Sequence, residues 1–216
     1  MSRDYTENAT LERPNFRGAH PEIEQAVTLA SSGADAEVLA GTVLGRVDRA
    51  LGAATPGTNT GDGTVSGLAL GAGAKAGVYA LTCVAVATGG GTFAVLDPDG
   101  YRLADAEVGE AYAGAVAFTV NDGATDFVLG DSFGIEVQEP DPVRHAPWDP
   151  AAVDGRQRPC AVLAEDVTVP ASGDEASVAY VHGQFRRAGL TFAPGADAAQ
   201  VATAIRALAR AGVHVK

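Results

Sequence analysis

Cysteine is nearly absent: Cys83 and Cys160 are the only two among 216 residues. They form no C-x-x-C pair and no histidine stands at ligand spacing, so neither a zinc site nor a disulfide framework is implied. Both thiols are expected to be reduced and buried. Long apolar runs are missing too: no stretch approaches the roughly 18 residues of a membrane-crossing helix, which excludes a membrane partner of that kind. The start, Met1-Ser2-Arg3-Asp4-Tyr5-Thr6-Glu7, lacks the apolar centre of a secretory signal. The expectation is a chain made and kept in a cytoplasm until it is assembled. Positive charge is also scarce, with 15 Lys and Arg against 27 Asp and Glu and a net charge of −12. Residues 52–141 hold only Lys75 and Arg102 against twelve acids, and such a segment repels phosphates. No nucleic-acid partner is expected.

Aromatic residues are few, at 6%, while hydrophobic residues reach 46% and glycine numbers 27. Small-residue strands joined by tight turns fit that balance, so the chain is expected to be mainly β. Residues 1–21 mix charge with Pro14, Gly18 and Pro21 and show no period, the composition of a flexible arm. From Glu22, the residues Ile23, Gln25, Val27 and Leu29 alternate with polar or small neighbours as in a half-buried strand. A second extended segment spans 38–47, where Gly41 and Gly45 signal a bulge or close backbone contact.

The tract 53–63, rich in Gly, Thr and Pro, is expected to be a linker, and Glu139-Pro140-Asp141-Pro142 a second joint. Between them six strands are predicted at 65–70, 78–87, 92–96, 101–108, 115–120 and 127–137, a small sandwich. Asp97-Pro98-Asp99-Gly100 fits a type I turn and Asn121-Asp122-Gly123 a hairpin turn. Beyond the joint, 161–167 and 176–181 resume strand patterns. One helix is predicted: Asp197 and Gln200 make a capping box, Val201, Ile205 and Leu208 form an apolar stripe, and Gly212 supplies the stop. Val213 and Val215 then alternate as a last strand.

Several motifs resemble chemistry and read better as structure. Gly130-Asp131-Ser132-Phe133 has the look of a hydrolase nucleophile motif, but a strand pattern follows where a helix is required, and no Asp-x-x-His lies downstream. Lys75, after a Gly-rich stretch, lacks the adjoining Gly and Ser or Thr of a phosphate loop. Asp97, Asp99 and Asp105 lack the rest of a calcium loop, and turn chemistry accounts for them. His20, His145, His182 and His214 are scattered. Trp148 stands alone, the pattern of a packing anchor. No catalytic, metal or cofactor site is assigned, and no enzyme activity is expected.

Four segments in order carry a resemblance: Ala40-Gly41-Thr42-Val43-Leu44-Gly45-Arg46-Val47, Trp148-Asp149-Pro150-Ala151-Ala152-Val153-Asp154-Gly155, Ala161-Val162-Leu163-Ala164-Glu165-Asp166-Val167, and Tyr180-Val181-His182-Gly183-Gln184-Phe185-Arg186-Arg187 leading to the helix. Together they resemble the head decoration proteins of lambda-like phages. The resemblance implies a small mixed α/β body built from 22–51 and 143–216, interrupted by an acidic insert, 52–142, that resembles the Ig-like β-modules of phage structural proteins. It also implies a homotrimer on the outer capsid surface of the virion. There the arm, 1–21, adds a strand to the major capsid protein, with Leu11, Pro14, Phe16, Ile23 and Val27 as its candidate contacts. Such a protein cements the shell. An alternative from another class is a virion-surface adhesion module whose insert binds a host glycan or protein. The body so described requires residues 40–47 to pack beside residues 160–186.

Overall fold

A computed structural model describes residues 16–216, so Leu11 and Pro14 lie outside the described residues. The chain opens with β1 (Ile23–Leu29), β2 (Ala36–Val38) and β3 (Val43–Val47). It then runs through β4 (Ala50–Pro56), β5 (Thr64–Leu70), β6 (Gly77–Ala87), β7 (Gly90–Leu96), β8 (Ala106–Glu107), β9 (Ala111–Tyr112), β10 (Val116–Asn121) and β11 (Ser132–Gln138). β12 (Arg144–Pro147), β13 (Pro159–Leu163), β14 (Val167–Val169), β15 (Glu175–Phe185), helix α1 (Ala198–Arg210) and β16 (Val213–Val215) complete it. The protein is mainly β with one α-helix among the described residues, close to the C-terminus.

The first and last groups of strands build one closed ring. β1 pairs with β12 and β15, β12 with β3, β3 with β13, and β13 with β15, while β16 runs parallel to the end of β15. Closure leaves those five strands few open edges. Val43 and Leu44 stand opposite Val162 and Ala161, the contact between 40–47 and 160–186 that the body requires. Side chains alternate across this wall. Val27, Leu29, Leu44, Ala161, Leu163 and Ala179 fill its inside, together with Val38 and Val169 from the β2–β14 ribbon. Val43, Val162, Tyr180 and Phe185 face the other way, against Ala204 and Leu208 of α1. Burying each Val, Leu or Phe side chain among them contributes roughly 1.5–3 kcal/mol.

The helix follows its sequence pattern. Asp197 accepts from the Gln200 backbone N–H at 2.7 Å, and the Gln200 side chain accepts from the Asp197 N–H at 2.8 Å. Val201, Ala204 and Leu208 are buried, and Ile205 is only half-buried, so Ala204 takes a place in the stripe. The glycines of the second segment are close contacts: a Cβ on Gly45 would lie 2.1 Å from the Arg156 carbonyl oxygen, and Gly41 has φ +86.

Between the halves, β5-β10-β9 and β4-β11-β6-β7-β8 form two sheets that share one core around Tyr79, Leu81, Phe93, Phe118, Phe133 and Ile135. Here four expectations change. Residues 53–56 of the expected linker belong to strand β4, because their backbone completes the ladder with β11. The turn at Asn121-Asp122-Gly123 joins no hairpin: β10 lies in one sheet and β11 in the other. Of 101–108 only β8 is a strand, with Arg102 bridged singly to Leu96. Residues 127–131 form a turn before β11. The Asp97 turn is as predicted, with Gly100 N–H donating to the Asp97 carbonyl at 2.9 Å. At the entry and exit of this region, Arg49 Nη1 lies 2.9 Å from Glu139 Oε1.

Candidate functional site

Residues 16–18 are held by the end of β15. Gly18 N–H donates to the Gln184 carbonyl at 2.6 Å, and Arg186 N–H donates to the Phe16 carbonyl at 2.7 Å. Arg17 stands opposite Phe185 in an antiparallel bridge. Phe16 is half-buried, its ring 6.2 Å from Phe185 and 6.1 Å edge-on to Tyr180. Arg17 places its guanidinium 5.1 Å over the Tyr180 ring. A Cβ on Gly18 would lie 2.6 Å from the Gln184 carbonyl oxygen, so only glycine allows this approach. On the far side of the same stretch, Lys216 N–H donates to the Phe185 carbonyl and Arg187 N–H to the Lys216 carbonyl. Residues 185–187 are thus gripped between the arm's base and the segment after β16.

The five candidate contacts therefore separate. Leu11 and Pro14 lie outside the described residues. Phe16 packs on the body. Ile23 is 56% exposed on β1, beside His182. Val27 is 6% exposed and points into the ring, so its side chain packs the core and offers no surface. Sequence reading passed over Arg17, Tyr180 and the pairing of the His20 and His182 rings at 5.3 Å. Nothing in local periodicity marks them, because residues 16–18 lie across a strand more than 160 positions away in the chain.

The motifs that resemble chemistry have structural partners. The Asp131 carboxylate accepts from the backbone N–H groups of Thr60, Gly61 and Val128 at 2.9, 2.9 and 3.0 Å. Burial pushes its pKa up, but the three donors outweigh that and hold it below the usual carboxylate value. Ser132 opens a strand, where Asn59 Oδ1 accepts from its N–H. Lys75 reaches Asp97 at 2.6 Å and Asp99 at 2.5 Å, and those contacts raise its pKa. Arg102 holds Asp105 at 2.9 Å. Trp148 is buried, donates to the Gln157 carbonyl at 2.9 Å and meets Phe192 edge-on. A cavity of about 490 Å³ between β1, β12 and β13 collects Gln25, Arg46, His145 and Cys160. Burial pushes the Cys160 thiol up to about 11 and, with Arg46 beside it, holds His145 below the usual imidazole value. Neither group is set up as a nucleophile or base. Among the described residues no group of three or more His, Cys, Asp or Glu could hold a metal ion, and no helix is long and apolar enough to cross a membrane.

The molecule thus presents a closed strand ring backed by one helix, with residues 16–18 joined to the end of β15. The family model for bacteriophage lambda head decoration protein D matches residues 5–213. The class is that of phage structural proteins that decorate the capsid, a role without catalysis. Within that class, the chain belongs to the bacteriophage lambda head decoration protein D family. No curated protein matches. Two crystal structures of Xanthomonas campestris FlgL match at 19% and 20% identity, covering 49% and 47% of this chain, with TM-scores of 0.32 and 0.31. The chain spans about a third of the length of those solved chains, 33% in both, and the likeness carries no argument.

Proposed function

We propose that the chain binds the outer surface of the assembled capsid as a homotrimer and cements the shell. The match across residues 5–213 is the observation that carries this reading. A ligand that binds only the assembled lattice stabilises it by mass action, and three arms per trimer add avidity. The arm, 1–21, adds a strand to the major capsid protein, with Leu11, Pro14 and Ile23 toward the partner and Phe16 fixing where the arm leaves the body. Backbone pairing of that kind needs no side-chain code. The body is 22–51 with 143–216, and 52–142 is an Ig-like insert that faces outward. Two antiparallel sheets sharing one core support the sandwich. Like-charge repulsion among these acidic inserts keeps particles dispersed. The protein passes from host cytoplasm to virion surface and touches neither genome nor membrane.

Deleting residues 2–15 tests the arm while leaving the Phe16 contacts in place. The truncated protein is expected to keep the circular dichroism spectrum of the full chain and to lose co-sedimentation with undecorated capsids. Undiminished co-sedimentation contradicts the arm assignment.

A second reading, adhesion through the insert, is favoured by one observation. Val84, Val86, Val128 and Leu129 are 44%, 53%, 41% and 65% exposed. They lie around the end of β6 farthest from the junction with the body, where Cys83 N–H donates to the Asp131 carbonyl and the Cys83 carbonyl accepts from Gly130 N–H. Exposed apolar residues grouped in this way mark contact surfaces.

A further inference from the structure

We propose that Arg186 and Arg187, beside Arg17, form a cationic ledge that docks on an acidic patch of the capsid subunit next to the arm's point of departure. The proposal rests on the capsid-binding reading and adds how that surface is recognised.

Its basis is the unequal use of cations in an acidic protein. Arg46, Arg49, Arg144, Arg156 and Arg158 of the body, and Lys75 and Arg102 of the insert, are all held in ion pairs. No ion pair among the described residues reaches Arg186 or Arg187, and both are exposed. From residue 183 to residue 215 four arginines, Arg186, Arg187, Arg206 and Arg210, are opposed by Asp197 alone, which is occupied in capping α1. Glu22 lies against Gly183, and Glu22 and Glu24 act on Tyr180; neither is ion-paired with Arg186 or Arg187.

The ledge is also rigid at its base. Phe16 and Lys216 grip the backbone of 185–187 from both sides through hydrogen bonds of 2.7–2.8 Å. Docking therefore orders side chains only, which lowers its entropic cost. The planar guanidinium fork matches a carboxylate in two-point contact. An acidic protein surface suits the ledge better than nucleic acid does, because the net charge of −12 repels a phosphate backbone beyond the reach of two side chains.

The test measures binding of the full-length protein to undecorated capsids across a series of NaCl concentrations. The wild type is expected to weaken as salt rises. R186E/R187E is expected to bind at least about tenfold more weakly at low salt, as loss of close interfacial charge pairs implies, and to show a flattened salt dependence. R206E/R210E makes an equal change of net charge on α1 and is expected to stay near wild type. Thermal unfolding of both variants confirms that the body is folded. Wild-type affinity in R186E/R187E, or equal losses in both variants, overturns the ledge. Absence of wild-type capsid binding sinks the capsid reading itself, and the ledge with it. Retention of random-sequence duplex DNA that depends on Arg186 and Arg187, with capsid binding unchanged, overturns it in favour of a nucleic-acid site.

Discussion

Asp131 shows how one side chain holds two remote turns. Its carboxylate collects N–H groups from Thr60 and Gly61 on one loop and Val128 on another, next to the start of β11. Asp131→Ala leaves those donors without their partner and is expected to cost about 2–4 kcal/mol, read as a lower urea midpoint with unchanged slope. An unchanged midpoint contradicts this role. The pH dependence has a definite sign. The folded pKa is depressed, so the contribution is fully present above the unfolded carboxylate value of about 3.9 and is lost as pH falls through the folded value. Wild type and Asp131→Ala should therefore converge in stability on acidification. The same Gly-Asp-Ser-Phe run that resembles a nucleophile motif is thus a structural clasp.

At the scale of elements, strands and helix were legible where local period and capping set them. β1, β6, β7, β10 and α1 fall on their patterns because alternate residues face one core and the capping box closes locally. The miss at 53–56 has a physical cause: an Ala/Thr/Pro tract packs little by itself, and it is a strand because β11 supplies its backbone partners. The site was less legible. Leu11 and Pro14 lie beyond the described residues, Val27 alternates into the core, and the Phe16 contact with β15 depends on a pairing between distant segments that composition does not encode. The β6–β7 tip supplies the prediction at this scale. Val86→Asp with Leu129→Asp should leave unfolding and capsid binding close to the wild type, because both side chains are more than half exposed. If the adhesion reading holds, attachment of decorated particles to host cells falls. Unchanged attachment removes that reading.

At the scale of the whole molecule, charge is segregated along the chain. The acidic segment 52–141 enters and leaves through β4 and β11, next to the Arg49–Glu139 pair, while Arg186 and Arg187, which no ion pair among the described residues reaches, sit at the end of β15. That division fits a protein with one face toward a shell and another toward solvent. The most direct measurement of the central claim is a cryo-electron map of particles carrying this chain. The account predicts three copies around each three-fold position on the outer surface, Arg186 and Arg187 against the shell, and residues 52–142 directed outward. Density for the chain inside the shell, or none on the capsid at all, would contradict it.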